Sequence, residues 1–180
     1  MGPVTTWIAF LRAINLGARR RFPKDDVLAA VAAAGGRDVV SHLGTGNVRL
    51  SLEVASRHEV ETALEEAFLA DRGFEVPTVV LSVEELRAVV ADADRIGAGH
   101  AGVHTVSLLK ADPDPEAVRR VEASGRSGES AHVTGRAVHL LLPVDVHTAR
   151  LGNDVVERHL GVATNRNVRV LRTVRERWCG

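Results

Sequence analysis

Tyrosine is absent from this chain, and only four phenylalanines and two tryptophans supply aromatic surface. That shortage speaks against a nucleic-acid platform, because base recognition on an open sheet relies on exposed aromatic rings. Cys179 is the only cysteine, which excludes an intrachain disulfide and fits a reducing, cytoplasmic setting. No charge of either sign dominates: Lys+Arg and Asp+Glu stand at 23 each. The chain therefore has no global field to draw in nucleic acid or an anionic membrane. No apolar run approaches the roughly 18 residues of a membrane helix. No charged segment followed by a long apolar run precedes the strand at Trp7–Leu11, so no signal peptide is expected.

Several catalytic signatures are missing as well. There is no G-x-x-x-x-G-K-[ST] phosphate loop, no H-E-x-x-H and no G-x-S-x-G elbow. Gly97-Ala98-Gly99-His100-Ala101-Gly102 is a literal G-x-G-x-x-G. It follows a helical pattern and leads into a strand, the reverse of the order a dinucleotide site needs. The eight histidines are scattered. His100 and His104 have metal-ligand spacing only on a helix, and they read as linker and strand, so no metal site is expected. No cofactor is identified.

What is present describes a folded protein with 45% apolar and 26% charged residues in a chain of 180. At this length roughly 70% of the unfolded surface becomes buried, enough for one domain or two subdomains. Thr5–Leu11 is apolar on both faces, as a central strand is; Ile8, Phe10 and Arg12 share one face. Asn15–Arg21 is a loop with three consecutive arginines, read as solvated. A helix opens at Phe22–Asp26 and stops at Gly35-Gly36. Asp38–Leu43 and Asn47–Leu52 form a hairpin around Gly44 and Gly46. Ser56-Arg57-His58-Glu59 is a capping box for a helix to about Arg72. Phe74–Leu81 reads as a strand, and Ser82–Glu85 caps a helix ending near Asp92.

This order, β-α-β-β-α-β, is the ferredoxin-like split βαβ. The expected class is α+β with two subdomains, over 1–93 and 103–180, joined by a Gly- and Ala-rich linker at 94–102. The second subdomain reads as a strand at His104–Lys110, a helix opening at Asp112–Glu116, a hairpin of 129–133 and 137–142, and one helix over Val146–Leu160. A terminal helix at Asn167–Trp178 closes the chain, so this half reads β-α-β-β-α plus a helix.

The residues that could carry chemistry are amides and guanidiniums at element ends. Arg12 and Asn15 leave the first strand, and Gly46 and Asn47 follow the hairpin turn. Thr164, Arg166 and Asn167 precede the last helix, whose first N–H groups suit an anion. The same residue types also cap helices and make turns. His42, beside the turn, is the nearest candidate for a general base.

Three segments resemble a bacterial family, domain of unknown function family 1697: Phe10-Leu11-Arg12-Ala13-Ile14-Asn15-Leu16-Gly17, His42-Leu43-Gly44-Thr45-Gly46-Asn47-Val48 and Ala163-Thr164-Asn165-Arg166-Asn167. The resemblance implies two small α+β subdomains and no established activity. Ala13 and Ala18 stand where the family has glycine, His42 where it has Tyr, Asn165 where it has Thr and Val168 where it has Trp. Arg12, Asn15, Gly46, Asn47, Thr164, Arg166 and Asn167 keep its pattern. The leading expectation is a site for a small anionic or phosphate-bearing ligand built from these seven. A noncatalytic protein-interaction module is one alternative. Nucleic-acid binding through Arg19–Arg21 and the arginines of the last helix is the other.

Overall fold

The computed structural model describes residues 4–180. Its contacts divide the chain into two compact units, the first running to Leu86 and taking in Cys179, the second covering Arg87–Trp178 with Gly180. The first holds β1 (Thr5–Leu11), α1 (Lys24–Ala33), β2 (Arg37–His42), β3 (Asn47–Leu52), α2 (Arg57–Arg72) and β4 (Thr78–Ser82). α3 (Val83–Ile96) follows, and the unit boundary falls within it. The second holds β5 (Val103–Leu109), α4 (Pro115–Glu122), β6 (Ser130–Thr134), β7 (Ala137–Leu142), α5 (Asn153–Leu160), β8 (Ala163–Asn167) and α6 (Val168–Trp178).

Both sheets are antiparallel, and both have the ferredoxin-like order: β2-β3-β1-β4 in one, β6-β7-β5-β8 in the other. The two units share details of their hydrogen bonding. Leu11 N–H donates to Gly46 O and Arg12 N–H to Pro77 O; Leu109 N–H donates to Arg136 O and Lys110 N–H to Val162 O. Position by position, Arg12 corresponds to Lys110, Gly46 to Arg136 and Thr78 to Ala163. The second unit is thus a full β-α-β-β-α-β-α repeat of the first.

Period-2 alternation sends one face of each sheet to its helices. In the first unit Trp7, Ala9, Leu11, Val48, Leu50 and Val80 form a core with Val27 and Val31 of α1 and Val60, Leu64 and Phe68 of α2. In the second, Leu109, Val138, Leu140 and Ala163 pack with Val121 of α4 and Val156 and Leu160 of α5.

The helices also close the sheet edges. β4 lies at an edge, and its outward N–H groups at Thr78 and Val80 donate to the carboxylates of Glu65 (2.7 Å) and Glu61 (3.1 Å) on α2. In the second unit the edge N–H of Ala163 donates to Glu157 of α5 (3.0 Å), and that of Val133 to Glu122 of α4 (3.0 Å). Unpaired edge donors are templates for aggregation, and here helix carboxylates occupy them.

Four expectations are corrected. Ala163–Asn167, expected only as polar residues leading into a helix from Asn167, is a strand, β8, because its backbone pairs with Thr105–Leu109, and the helix starts at Val168. The segment after Leu142 is not one helix. Val146–Thr148 forms a single tight turn, the chain runs extended at Ala149, and α5 begins only at Asn153. The carboxylate of Glu129 accepts from Arg150 N–H and Leu151 N–H, which diverts those donors from a helical ladder. β4 starts at Thr78, after Pro77, which has no N–H to offer. α3 extends past Asp92 to Ile96, where Gly97 follows; its Ser82–Glu85 capping box is formed in both directions.

Glu61 is buried to 2% exposure. Glu61→Ala strands the Val80 N–H, at a cost of about 1–3 kcal/mol, while Glu61→Gln keeps an acceptor and loses less. Urea unfolding of the three proteins measures this; equal midpoints for wild type and Glu61→Ala would refute the edge-closing role.

Candidate functional site

The first unit gathers four of the seven motif residues at one end of its sheet. Asn15 ties two loops together. Its Nδ2 donates to Gly44 O (2.7 Å) and Phe22 O (3.1 Å), and its Oδ1 accepts from Phe22 N–H (2.9 Å). Asn47 is fully buried, and its Nδ2 donates to His42 O (2.8 Å) and Thr45 Oγ1 (3.1 Å), holding the hairpin turn closed. Gly46 has φ +81, and a Cβ there would lie 2.7 Å from Leu11 Cβ. Three of the four residues therefore build the scaffold. Arg12 is the charged member of the four. It is half-buried just past β1, with its backbone N–H held by Pro77.

The arginine run is not uniformly solvated, contrary to the expectation. Arg20 Nε donates to Ala13 O (2.7 Å), its Nη2 donates to Glu75 O (2.8 Å), and its guanidinium lies 4.8 Å from the Phe74 ring centroid. It braces the loop, leaving Arg19 and Arg21 as the exposed members. The loops so held are strained. Positive φ occurs at Ala13 (55), Asn15 (56) and Leu43 (62). For alanine and leucine that conformation costs about 1–2 kcal/mol each. Such cost persists where the surroundings over-determine the backbone, as at ligand sites.

The strand register adds a residue that motif reading missed. Phe10 pairs with Asn47, and Asn47 with His42; Ile8 pairs with Arg49, and Arg49 with Val40. His42, Asn47, Arg49 and, by continued alternation, Arg12 thus project from the face opposite the helices. Arg49 Nε is buried and has no hydrogen-bond partner among the described residues. Arg12 and Arg49 stand four residues apart along the ladder, about 14 Å at a rise of about 3.4 Å per residue, so two long side chains can converge on one ligand. The signal was present in the sequence: Asn47-x-Arg49 on a strand shares a face.

The other three motif residues belong to the second unit. Arg166 and Thr164 lie on the sheet face opposite α4 and α5, and Arg166 Nη1 donates to Thr164 Oγ1 (2.7 Å) and Asn165 O (2.8 Å). Burial lowers the Arg166 guanidinium to about 10, which leaves it charged at neutral pH. Asn167 is exposed, and its Oδ1 accepts from Arg169 N–H (2.9 Å) at the start of α6. Asn165 points to the helix side and donates to Thr105 Oγ1 and Ser107 Oγ. On α6, Arg172 is committed to Asp94 of α3, at 2.8 Å from Nε and 2.6 Å from Nη2.

The family model for the protein of unknown function DUF1697 matches residues 4–139. The chain belongs to this family. The match takes in both first-unit motifs and stops before Ala163–Asn167. A conserved bacterial protein, SP0830 from Streptococcus pneumoniae, is similar in structure, with a TM-score of 0.72 over 97% of this chain and 98% of that one, at 14% identity. A likeness at that identity concerns the fold alone. No curated protein matches the chain in sequence.

The second unit of this DUF1697 chain also contains a histidine pair that sequence reading did not bring together. His132 pairs with His139 across the β6–β7 hairpin, and His104 lies on neighbouring β5. His104 Nε2 is 3.3 Å from His139 Nδ1, and His139 Nε2 is 3.2 Å from Thr134 Oγ1. The hairpin centred on Gly135-Arg136 was the available signal for the 132–139 partnership. Burial lowers both His104 and His139 to about 4, and the neighbouring histidines add to the effect. Asp94 opposes it at His104, and Asp92 opposes it at His139. Both imidazoles are neutral at neutral pH, one donating to the other. Among the described residues no group of three or more His, Cys, Asp or Glu is placed to hold a metal ion.

Two outcomes follow from this geometry. Gly46→Ala meets both the positive φ and the Leu11 contact, and destabilises by about 2–4 kcal/mol in urea unfolding; a midpoint equal to wild type would contradict the close approach. The histidine pair makes stability fall with acid. Each imidazole takes its proton near 6.5 when unfolded and near 4 when folded, so the unfolded chain binds more protons between those values. Urea midpoints should fall from about pH 6.5 to about pH 4 and then level as far as this pair is concerned, with a shallower fall in His139→Gln. An unchanged slope in that variant would remove the pair as the cause.

Proposed function

We propose that the face of the first sheet carrying Arg12, Asn47 and Arg49 binds a small anionic or phosphate-bearing ligand. The observation that carries this reading is the buried Arg49 Nε, which has no hydrogen-bond partner among the described residues and shares its face with Arg12. A buried donor without a partner is costly, and an anion's oxygen is the group that satisfies it best. Asn15, Gly46, Asn47 and Arg20 serve this site indirectly, by fixing the two loops beside it. Preorganised donors are what make anion recognition economical, since little reorganisation accompanies binding. In the second unit, Arg166 and Thr164 offer a related pairing of guanidinium and hydroxyl on the corresponding sheet face, and they are read as contributing to anion recognition there. Asn167 is read as a helix-start residue that places them.

The engagement of Arg20 and Arg172 within their own units weighs against the nucleic-acid alternative, because it withdraws the central arginine of each basic group. A noncatalytic interaction module stays the second reading. It gains support from the solvent-facing Leu16 and Leu43 in the same loops.

Calorimetric titration with inorganic phosphate and pyrophosphate, at low and high salt, tests the proposal. Saturable binding is expected. A hydrogen bond to a charged group is worth about 1.5–3 kcal/mol, so Arg12→Ala and Arg49→Leu should each weaken binding by at least about tenfold while circular dichroism reports an intact fold. Absence of saturable binding by the wild type, or variants that bind equally well, would overturn it.

A further inference from the structure

The surroundings of this face say more about the ligand than its charge. Among the described residues of the first unit, five large apolar side chains are exposed: Val4, Leu16, Val40, Leu43 and Leu69. Three of the five fall at the proposed site. Val40 pairs directly with Arg49 across β2 and β3, on the same face. Leu43 precedes Gly44 and Leu16 follows Asn15, and the Asn15–Gly44 hydrogen bond joins those two points of the chain. Leu16 is 65% exposed and Leu43 53%. Leu43 also holds a left-handed backbone, at φ 62, that glycine or asparagine would adopt more easily. A bulky apolar residue thus stands in water at a position whose backbone disfavours it.

Within the chain segments that carry these side chains, the charge is of one sign. No carboxylate occurs from Leu11 to Lys24 or from Val39 to Leu52, and Arg12, Arg19, Arg20, Arg21, Lys24 and Arg49 lie within these segments; Asp25, Asp26, Asp38 and Glu53 flank them. Apolar side chains in segments whose only charges are cationic complement a molecule with an anionic head and an apolar body. Two sources share that chemistry, a soluble amphipathic anion and an anionic lipid in a bilayer. The loops favour the soluble one. They are locked by the Asn15, Asn47 and Arg20 hydrogen bonds, which suits a defined shape better than a fluid surface. They also lack the exposed aromatic residues that membrane-interface segments use.

We infer that the ligand of this face is a soluble amphipathic anion, its phosphate or carboxylate held by Arg12 and Arg49 and its hydrocarbon part lying on Val40, Leu43 and Leu16. This rests on the anion-binding reading and names the chemical class that the reading leaves open.

Titration with inorganic phosphate and with alkyl phosphates from methyl to hexyl tests it. Affinity should rise by about two- to fourfold per methylene, as partial to full burial of each group implies. Leu16→Ser with Leu43→Ser should collapse the ratio of hexyl to methyl phosphate affinity towards one, and Leu69→Ser, on α2, should leave that ratio as in wild type. Equal binding of phosphate, methyl and hexyl phosphate would overturn this inference and leave the anion site standing. No binding of any of them would overturn both. Cosedimentation with phosphatidylserine–phosphatidylcholine vesicles, without binding of soluble hexyl phosphate, would overturn the choice of a soluble ligand.

Discussion

Carboxylates reaching from helices to the outer N–H groups of edge strands hold this architecture in its form. A four-stranded sheet has two edges, and its edge donors must be satisfied or left to water and to other chains. Glu61 and Glu65 serve β4, Glu157 serves β8 and Glu122 serves β6. Each bond also fixes a helix against its sheet, so the carboxylates work alongside the apolar cores formed by Leu64 and Phe68, Val156 and Leu160, and Val121. A side chain that both closes an edge and positions a helix couples the sheet's outline to the layer above it.

The same plan occurs twice, and the two copies carry different side chains on the faces opposite their helices. The backbone bonds that end β1 recur at the end of β5, so corresponding residues can be compared. Gly46, where a side chain does not fit, answers to Arg136, whose buried Nη1 donates to Leu109 O. Arg49 answers to His139, the one a half-buried guanidinium and the other a buried neutral imidazole. Arg12 answers to Lys110. One backbone arrangement therefore carries guanidiniums and a strained loop pair in the first unit, and a desolvated histidine pair with Arg166 in the second. Sheet geometry decides which positions face outward, and the side chains at those positions decide the chemistry.

The motif residues sort into two kinds once their partners are known. Asn15, Gly46 and Asn47 are engaged with backbone groups and set the shape of the loops. Arg12 and Arg166 carry charge on sheet faces, as does Arg49 outside the motifs. Motif reading placed all the pattern-keeping residues in one class, because a polar residue beside glycine looks the same whether it closes a turn or meets a ligand. Arg49 escaped notice for the opposite reason. It sits in ordinary strand alternation and matches no turn or cap signal, and only its buried Nε marks it. Arginine runs in loops are usually solvated, and nothing local sets Arg20 apart, since its acceptors at Ala13 and Glu75 lie 7 and 55 residues away.

Local patterns were sufficient for most elements. An apolar run on both faces located β1, and the turns at Gly44–Gly46 and Gly135 located the β2–β3 and β6–β7 hairpins. The 3.6-residue apolar stripe with Ser56 and Gly73 located α2, and the aromatic and cysteine counts bounded the class of protein. These features depend on near neighbours, within about one helical turn or one strand pair. β8 could not be read in this way: Ala163–Asn167 is polar and short, and it is a strand only because β5 offers it a ladder. The break before α5 depends on Glu129, and the neutrality of His104 and His139 depends on burial by residues far away in the chain. Covalent order determined most of the elements and the family. The tertiary fold alone determined which donors were satisfied, which charges were desolvated and which polar residues shared a face, because these depend on distance in space and on exclusion of water.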